Sequence, residues 1–381
     1  MSAIREKYLF RITWNVYERS ISYNIYGRSG DVIQVKKVLY ILNPNTYIHC
    51  ENDVFEVITK MIDSDGVESK KTVNVPALTI EQIVIFGPAT VSDFLVGYCS
   101  KHKIPISYVS QYGVYYGRMC GKNVGNVLLR RKQYQIYDSS EKLAVAKNIV
   151  LGKAINQKNL LEYMAKSIEE KKYQKLSQAS QTISGMLGDI AAAKTVDEVR
   201  GLEGSIASNY FDQFDNMIKQ KSTGMEFEKR SKRPPENNCN ALLSFLYTML
   251  TLNCTAALES FGLDSAVGYL HELHPGRDSL SCDLIEEFRA PFVDRFVLTL
   301  INRKQVTQKD FESVSGNIQL KEMAKRKILT EWENSKNEKV PFPLYKKDVQ
   351  RKLIPYLQAQ LLAQYIRGDI PEYPPYIWEG D

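Results

Sequence analysis

Reactive side chains are densest between residues 268 and 289. Pro275-Gly276 predicts a turn between a segment that carries His271 and the start of an acidic helix. Three carboxylates on that helix are spaced i, i+3 and i+4 and project to one side, namely Asp283, Glu286 and Glu287. Carboxylates beside an imidazole form a harder ligand set than zinc usually receives. The pattern therefore predicts a site for Mg²⁺ or Mn²⁺.

A structural interpretation of the same carboxylates is also open. Acidic residues stabilise the positive end of a helix dipole, and these could pair with Arg289 and Arg295. On spacing alone this interpretation is favoured. His274 precedes Pro275 and is interpreted as a turn residue rather than a ligand.

A second candidate carboxylate lies in a run of small residues, 200–208. Glu203 is the lone charge between Gly201 and Asn209. Glycine is unfavourable inside a helix, so these glycines predict close packing against another backbone. A partly buried carboxylate there needs a cation or a donor, either an arginine such as Arg200 or a metal shared with His271.

Composition limits the elements that can position these residues. The chain has 381 residues, 44% hydrophobic and 25% charged, with a mean hydropathy of −0.31. This excludes wholesale disorder and allows two or three domains. The six cysteines contain no CxxC pair, which argues against a disulfide framework or a zinc ribbon and favours the cytoplasm. Charges within residues 1–19 exclude a signal peptide.

The hydrophobic pattern changes along the chain and predicts an α+β protein. Short apolar runs separated by turn signals predict a β-rich domain over residues 36–118. Residues 119–133 are predicted to form a basic linker, and residues 134–381 are predicted to form an α-helical domain, the candidate catalytic domain because it carries the reactive side chains. One predicted helix of this domain begins at Thr195. The others span Asn240–Phe261, Leu284–Ile301 and Leu353–Ile366. Pro291 is expected to kink the second of these three, and Gly368 is expected to end the third.

One uncharged stretch, residues 239–258, is long enough to cross a membrane. Four polar residues recur along it at helical spacing, namely Ser244, Thr248, Thr251 and Thr255. We interpret it as the central helix of a soluble bundle, with no membrane partner, whose polar stripe faces another helix or a cavity.

Positive charge is segregated into two stretches. Residues 117–175 hold 13 Lys or Arg against five Asp or Glu, and residues 219–233 hold six against two, on a chain whose net charge is +6. Segregated positive charge is typical of proteins that bind a phosphate backbone. A solvated lysine-rich helix face is the alternative.

Four ordered motifs resemble the CRISPR-associated adaptation integrases, the metal-dependent DNA endonucleases that are the first-numbered CRISPR-associated proteins. The motifs are Arg200-Gly201-Leu202-Glu203-Gly204, Arg233-Pro234-Pro235 with residues 240–247, Gly268-Tyr269-Leu270-His271, and Pro275-Gly276-Arg277 with residues 279–289. Residues 128–134 and the tail Tyr373-Pro374-Pro375-Tyr376 look most like the type I-C subtype. The resemblance starts at about Lys36. Residues 1–35 precede this region. They are therefore predicted to be a dispensable extension and to result from a start codon that was assigned too far upstream.

The resemblance implies a fold, a metal and its ligands. The fold would be a β-sandwich-like N-terminal domain followed by a larger all-α domain. Mn²⁺ or Mg²⁺ would bind to Glu203, His271 and Glu286, with Asp283 as a supporting acidic residue. The family often has Asp at the position of Glu286, and Asp283 or Glu287 could share its role.

The resemblance also implies partners and a reaction. The partners would be double-stranded DNA (spacer precursor and repeat array), a second copy of the chain, the small second CRISPR-associated protein and a CRISPR-associated exonuclease. The 3′-hydroxyls of spacer DNA would be joined to the repeat array by transesterification, so no protein nucleophile is required. Phosphate contacts are expected from Arg118, Lys122, Arg130, Arg131, Lys229, Arg230, Lys232 and Arg233.

Two other functions stay open at this point. One is a non-catalytic scaffold that binds double-stranded DNA, and the other is a metal phosphohydrolase acting on small phosphoesters. An integrase requires Glu203, His271 and Glu286 to converge beside a basic surface. The scaffold allows them to lie apart, and the phosphohydrolase needs a closed pocket.

Overall fold

The computed structural model describes residues 37–62, 68–109, 115–121, 127–231, 234–314, 316–345 and 347–380. The predicted extension and three predicted phosphate-binding residues lie outside these ranges, namely Lys122, Lys232 and Arg233. The described chain forms two compact units, one ending at Gly121 and one starting at Val127. The boundaries predicted at 36, 119 and 134 stay predictions. The helix Val127–Tyr137 spans the last of them.

The first unit is rich in strands. They are β1 (Lys37–Ile41), β2 (Thr46–Glu51), β3 (Val54–Ile62), β4 (Glu68–Pro76), β5 (Ile80–Phe86), β6 (Ala89–Val91), β7 (Ile106–Val109) and β8 (Tyr115–Met119). One sheet has the order β1-β5-β7-β8 and the other β4-β3-β2-β6. Helix α1 (Asp93–His102) begins after Ser92, whose hydroxyl accepts a hydrogen bond from the amide of Leu95.

Local sequence explains how this unit forms. Asn52 and Asp53 have φ of 49° and 60°, which is the backbone of a tight turn, and they join β2 to β3 as the sequence predicted. Residues alternate between buried and exposed along β2. A shared apolar core takes side chains from both sheets and from α1, including Ile48, Phe55, Ile83, Leu95 and Ile106.

The second unit is mainly helical. Its helices are α2 (Val127–Tyr137), α3 (Lys142–Ala165), α4 (Glu170–Ala192), α5 (Val196–Phe211), α6 (Asn238–Ser260), α7 (Ser279–Glu286), α8 (Arg295–Asn302), α9 (Glu322–Lys336) and α10 (Ile354–Arg367). Two hairpins interrupt them, formed by β9 (Phe311–Val314) with β10 (Asn317–Leu320) and by β11 (Lys339–Phe342) with β12 (Lys347–Gln350).

The α+β class is confirmed, with a strand-rich N-terminal part and a helical C-terminal part. The expectation of an all-α C-terminal domain is wrong in one respect, because it omits the two hairpins. Their strands are four residues long, too short to show a strand period. The sandwich arrangement of the first unit stays a prediction.

Helix ends follow the predicted signals. The Thr195 hydroxyl accepts a hydrogen bond from the amide of Glu198 at 3.1 Å, which starts α5. Gly368 ends α10 in the left-handed conformation that glycine favours. Pro291 lies in a π-helical turn, residues 289–294, between α7 and α8. The helix predicted over Leu284–Ile301 is therefore divided at its proline.

Helix α6 is the core helix of its unit. Its length and composition would suit a membrane span, but 78% of its most apolar window is buried inside the protein. The threonine hydroxyls of the polar stripe form hydrogen bonds within α6 itself. Those of Thr248, Thr251 and Thr255 each donate to the backbone carbonyl one turn earlier. Thr255 also lies 2.7 Å from the hydroxyl of Ser281, so the stripe faces α7 at this point.

Candidate active site

Two predicted ligands, Glu203 on α5 and Glu286 on α7, meet at the ammonium group of Lys153 on α3. Lys153 Nζ donates a hydrogen bond to Oε1 of Glu203 and lies 2.6 Å from Oε2 of Glu286. The side chains of Lys153 and Glu286 are 6% and 4% exposed, whereas that of Glu203 is 26% exposed. The cluster therefore opens to solvent on the Glu203 side.

The charges of the cluster stabilise one another against burial. Burial alone would raise the pKa of Glu286, but Arg289, Lys153 and His271 outweigh it and hold that pKa at about 2. Burial would lower the pKa of Lys153, but Glu286 and Glu203 raise it. Glu286 and Lys153 are therefore both charged at neutral pH. His271 itself contacts Asp283, which precedes Glu286 by one turn on the same helix.

His271 is oriented by Asp283, a buried carboxylate on the first turns of α7. Its Nδ1 lies 2.7 Å from Oδ1 of Asp283. Asp283 also accepts the backbone amides of three consecutive residues, Tyr269, Leu270 and His271. An ionised carboxylate can only accept, so Nδ1 is the protonated nitrogen, and Nε2 of a neutral imidazole keeps a lone pair that can accept a hydrogen bond or bind a metal.

The loop that carries His271 approaches α7 closely. A Cβ atom on Gly268 would lie 2.9 Å from Oδ2 of Asp283 and 2.8 Å from the carbonyl carbon of Ser279. Glycine is therefore needed for this approach. Arg200 on α5 reaches the same loop, since its guanidinium donates to Glu272 at 2.9 Å. These contacts join α5, α7 and the His271 loop.

The neighbouring carboxylate, Glu287, faces away from the cluster. It accepts hydrogen bonds from the hydroxyl of Tyr373 at 2.6 Å, the amide of Tyr376 at 2.7 Å and the side chain of Gln358 at 3.0 Å. Burial raises the pKa of Glu287 to about 8, although these hydrogen bonds act to lower it. Glu287 therefore binds the C-terminal tail, and the supporting role of Asp283 stays a prediction.

The tail, residues 371–380, has no regular secondary structure and lies along α3. Asn156 is the centre of the contact, because its side chain donates to the carbonyls of Tyr376 and Glu287 and accepts the amide of Trp378. Gly152 makes room for Pro375, since a Cβ there would lie 2.7 Å from the proline ring. One helix thus carries both Lys153 and the tail.

A buried polar network supports Glu286 from behind. Arg289 donates toward Oε1 of Glu286 at 3.1 Å and lies 4.6 Å above the ring of Tyr247. The hydroxyls of Tyr247 and Tyr210 both donate to Asp294, whose burial raises its pKa to about 6. This network fixes Arg289 against the carboxylate.

The donor types present suit a divalent cation. Two carboxylates already surround one positive charge, and Oε2 of Glu286 is buried and makes no hydrogen bond of good geometry. Oxygen donors with one imidazole match Mg²⁺ or Mn²⁺. Within the described ranges no three His, Cys, Asp or Glu side chains close around a common point, because Lys153 stands between the carboxylates. The residues fit the metal in donor type.

The predicted phosphate-binding residues differ in their surroundings. Arg131 on α2 is exposed and Arg130 is partly buried. Lys229 is exposed and pairs with Glu236, whereas Arg230 donates to Asn240 at 2.7 Å and to Ser244 at 3.2 Å. Arg118 lies on β8 in the other unit. Their contacts with DNA stay predictions.

Residues 39–334 match the family described as CRISPR associated protein Cas1. The CRISPR-associated endonuclease Cas1 1 of Chlorobaculum tepidum is 36% identical over 343 residues, which are 89% of this chain and 98% of that protein. The chain belongs to the Cas1 family. The predicted resemblance is therefore confirmed, while its type I-C subtype stays a prediction.

Similar proteins extend the Cas1 comparison. A structure described as a casposase bound to integration product has a TM-score of 0.77 at 24% identity, over 89% of this chain and 92% of that one. A chain of a Cas6-RT-Cas1–Cas2 complex gives 0.75 at 23% identity, over 94% of this chain and 38% of that one. These likenesses establish the Cas1 fold. A Cas4 exonuclease/Cas1 endonuclease fusion from Geobacter sulfurreducens is 28% identical, over 89% of this chain and 60% of the fusion.

Proposed function

We propose that this Cas1-family chain is a metal-dependent DNA endonuclease and integrase of CRISPR adaptation, an antiviral defence. The observation that carries the proposal is the meeting of Glu203 and Glu286 at one buried cation, beside a histidine oriented by Asp283. Glu203, His271 and Glu286 would hold Mg²⁺ or Mn²⁺. Curated relatives named as Cas1 endonucleases support the same activity.

Each side chain has a separate task in this proposal. A bound divalent cation would stabilise the negative charge that develops on the attacked phosphodiester. Asp283 keeps Nδ1 of His271 occupied and directs Nε2 to the ligand position. Arg289 holds one oxygen of Glu286 and leaves the other directed into the cluster. The attacking hydroxyl belongs to the 3′ end of spacer DNA, or to water in hydrolysis.

The proposed partners follow from the same family relationship. Double-stranded DNA is supported by the casposase structure, which is described as bound to an integration product. A complex with the small second CRISPR-associated protein, Cas2, is supported by the assembly that contains Cas1 and Cas2. The Cas4/Cas1 fusion supports a CRISPR-associated exonuclease as a further partner. A homodimer and a cytoplasmic location complete the proposal.

The test is strand transfer of a short DNA duplex into a plasmid with Mn²⁺. We expect His271→Ala to abolish transfer and to leave duplex binding unchanged, because the change removes a ligand and not a basic surface. The matched control is His274→Ala, since His274 is exposed and its ring contacts only the carbonyl of Pro275 among the hydrogen bonds described. Transfer retained by His271→Ala would remove His271 from the proposed metal site. An unaltered chain that binds the duplex but shows no transfer would favour the non-catalytic scaffold.

A further inference from the structure

Lys153 is a buried cation at the point where the two proposed metal ligands meet. It was counted in the sequence with the basic residues of the stretch 117–175, yet its side chain is 6% exposed and contacts Glu203 and Glu286. A buried lysine is costly unless it is paired. Here the pairing is with both carboxylates at once.

We propose that Lys153 is an internal counter-cation that competes with the divalent metal for Glu203 and Glu286. This inference rests on the proposed metal-dependent function. In the metal-free protein the ammonium group pairs with both carboxylates and keeps α3, α5 and α7 together. When a divalent cation binds, the ammonium group leaves the shared oxygens.

The competition follows from geometry and charge. A metal ligand oxygen lies about 2.0–2.2 Å from Mg²⁺ or Mn²⁺, whereas an ammonium group lies about 2.7–2.9 Å from an oxygen it binds. Both cations would need the same side of Oε1 of Glu203 and Oε2 of Glu286. A dication and an ammonium group repel strongly at that separation in a buried site. The affinity for the metal is therefore lowered by the free energy that is needed to move the ammonium group of Lys153.

The surroundings allow the ammonium group to leave on one side. Glu286 is held from behind by Arg289, 3.1 Å from its Oε1, so its carboxylate stays in place when Lys153 leaves. Glu203 is the more exposed partner, and the cluster opens to solvent there. Lys153 is thus a positioning residue whose removal tightens metal binding, whereas the loss of a purely structural lysine would not.

The experiment is a Mn²⁺ titration of the full chain, with bound Mn²⁺ measured by electron paramagnetic resonance. Glu286→Gln defines which binding belongs to this site. We expect Lys153→Met to lower the Kd for Mn²⁺ at least tenfold and Lys158→Met to leave it unchanged. Lys158 lies on the same helix and pairs with Glu162 at 3.4 Å. An unchanged or higher Kd in Lys153→Met would overturn the inference.

The same titration separates this inference from the proposed function. If neither the unaltered chain nor Lys153→Met binds Mn²⁺ in a way that depends on Glu286, the metal site itself is wrong. If both bind with equal affinity, the metal site stands and the competition is refuted.

A second measurement needs no variant and covers a failure of Lys153→Met to fold. Amine acetylation of the unaltered chain, mapped by mass spectrometry, reports the accessibility of Lys153 relative to Lys158. We expect acetylation of Lys153 to increase severalfold when Mn²⁺ is added at constant pH. Equal acetylation with and without bound Mn²⁺ would contradict the release of its ammonium group.

Discussion

Oδ1 of Asp283 accepts hydrogen bonds from both the backbone amide and the ring Nδ1 of His271, at 2.9 and 2.7 Å. The other oxygen accepts the amides of Tyr269 and Leu270. One fully buried carboxylate therefore fixes the loop backbone and the imidazole together. This arrangement links the stability of the fold to the geometry of the proposed ligand.

Asp283→Asn tests this double role. Asparagine keeps one acceptor oxygen, but its NH₂ group cannot accept the backbone amides that Oδ2 accepts. Buried donors therefore lose their partners. We expect the free energy of unfolding to fall by about 1–3 kcal/mol. We expect Mn²⁺ affinity to fall about 10–100-fold, as is typical when a partner of a metal ligand is changed. Urea unfolding and Mn²⁺ titration measure the two effects. Asp212→Asn, at an exposed position after α5, should change neither.

Gly152→Ala tests the contact between the tail and α3. Alanine normally favours a helix over glycine by about 1 kcal/mol. Here its Cβ would lie 2.7 Å from Pro375 and 3.4 Å from Cγ of Glu287, so we expect a net loss of about 1–3 kcal/mol. Gly188→Ala on α4 has open space around its Cβ and should instead raise stability by up to about 1 kcal/mol. Thermal unfolding of both variants measures the signs; the same sign for both would refute the contact.

Asp294 should make stability depend on pH. Burial raises its pKa from 3.8 to about 6, so the folded protein holds a proton that the unfolded chain releases. This contribution is fully present below about pH 3.8 and is lost as pH rises to about 6. It amounts to about 3 kcal/mol at most. Asp294→Asn should remove this part of the slope and leave the part due to Glu287, whose pKa burial raises to about 8. Urea unfolding at pH 4, 5, 6 and 7 would detect the difference. Asp189→Asn, at an exposed position on α4, should keep the whole slope.

Arg131 and Arg230 should behave differently although both were predicted to bind phosphates. Arg131 is exposed, so Arg131→Ala should weaken duplex binding and reduce the slope of log affinity against log salt by about one. Stability should not change. Fluorescence anisotropy over a range of salt concentrations measures the slope. An unchanged slope would remove Arg131 from the DNA-binding surface.

Arg230→Ala should act on the fold. Its guanidinium donates to Asn240 and Ser244 and lies 5.4 Å from the centre of the Tyr247 ring. Removal of these charge-assisted hydrogen bonds should cost about 1.5–3 kcal/mol in unfolding free energy. A variant that keeps its stability but loses duplex affinity would instead support the phosphate contact.

Much of the fold was predictable because its signals are local. The turn at Asn52-Asp53, the cap at Thr195, the kink at Pro291 and the end at Gly368 each depend on a few consecutive residues. The hairpins of four-residue strands were not predictable, since such short runs carry no period.

The site was predictable in its residues and not in its arrangement. Motifs identified Glu203, His271, Asp283 and Glu286, but spacing could not separate Glu286 from Glu287. That separation depends on the tail, more than 80 residues away, which engages Glu287. Lys153 was missed because its partners lie on two other helices. The only local signal was a lysine among the apolar residues of α3.

The seating of the tail on α3 has a consequence for biosynthesis. Asn148 and Asn156 bond to carbonyls of Tyr373 and Tyr376, which follow them by 225 and 220 residues. A nascent polypeptide that has not yet reached Tyr373 leaves these amides, and the carboxyl of Glu287, without their native partners. The helix that carries Lys153 therefore reaches its final packing only after Tyr376 has been synthesised, so a chain truncated before Tyr373 would lack these contacts.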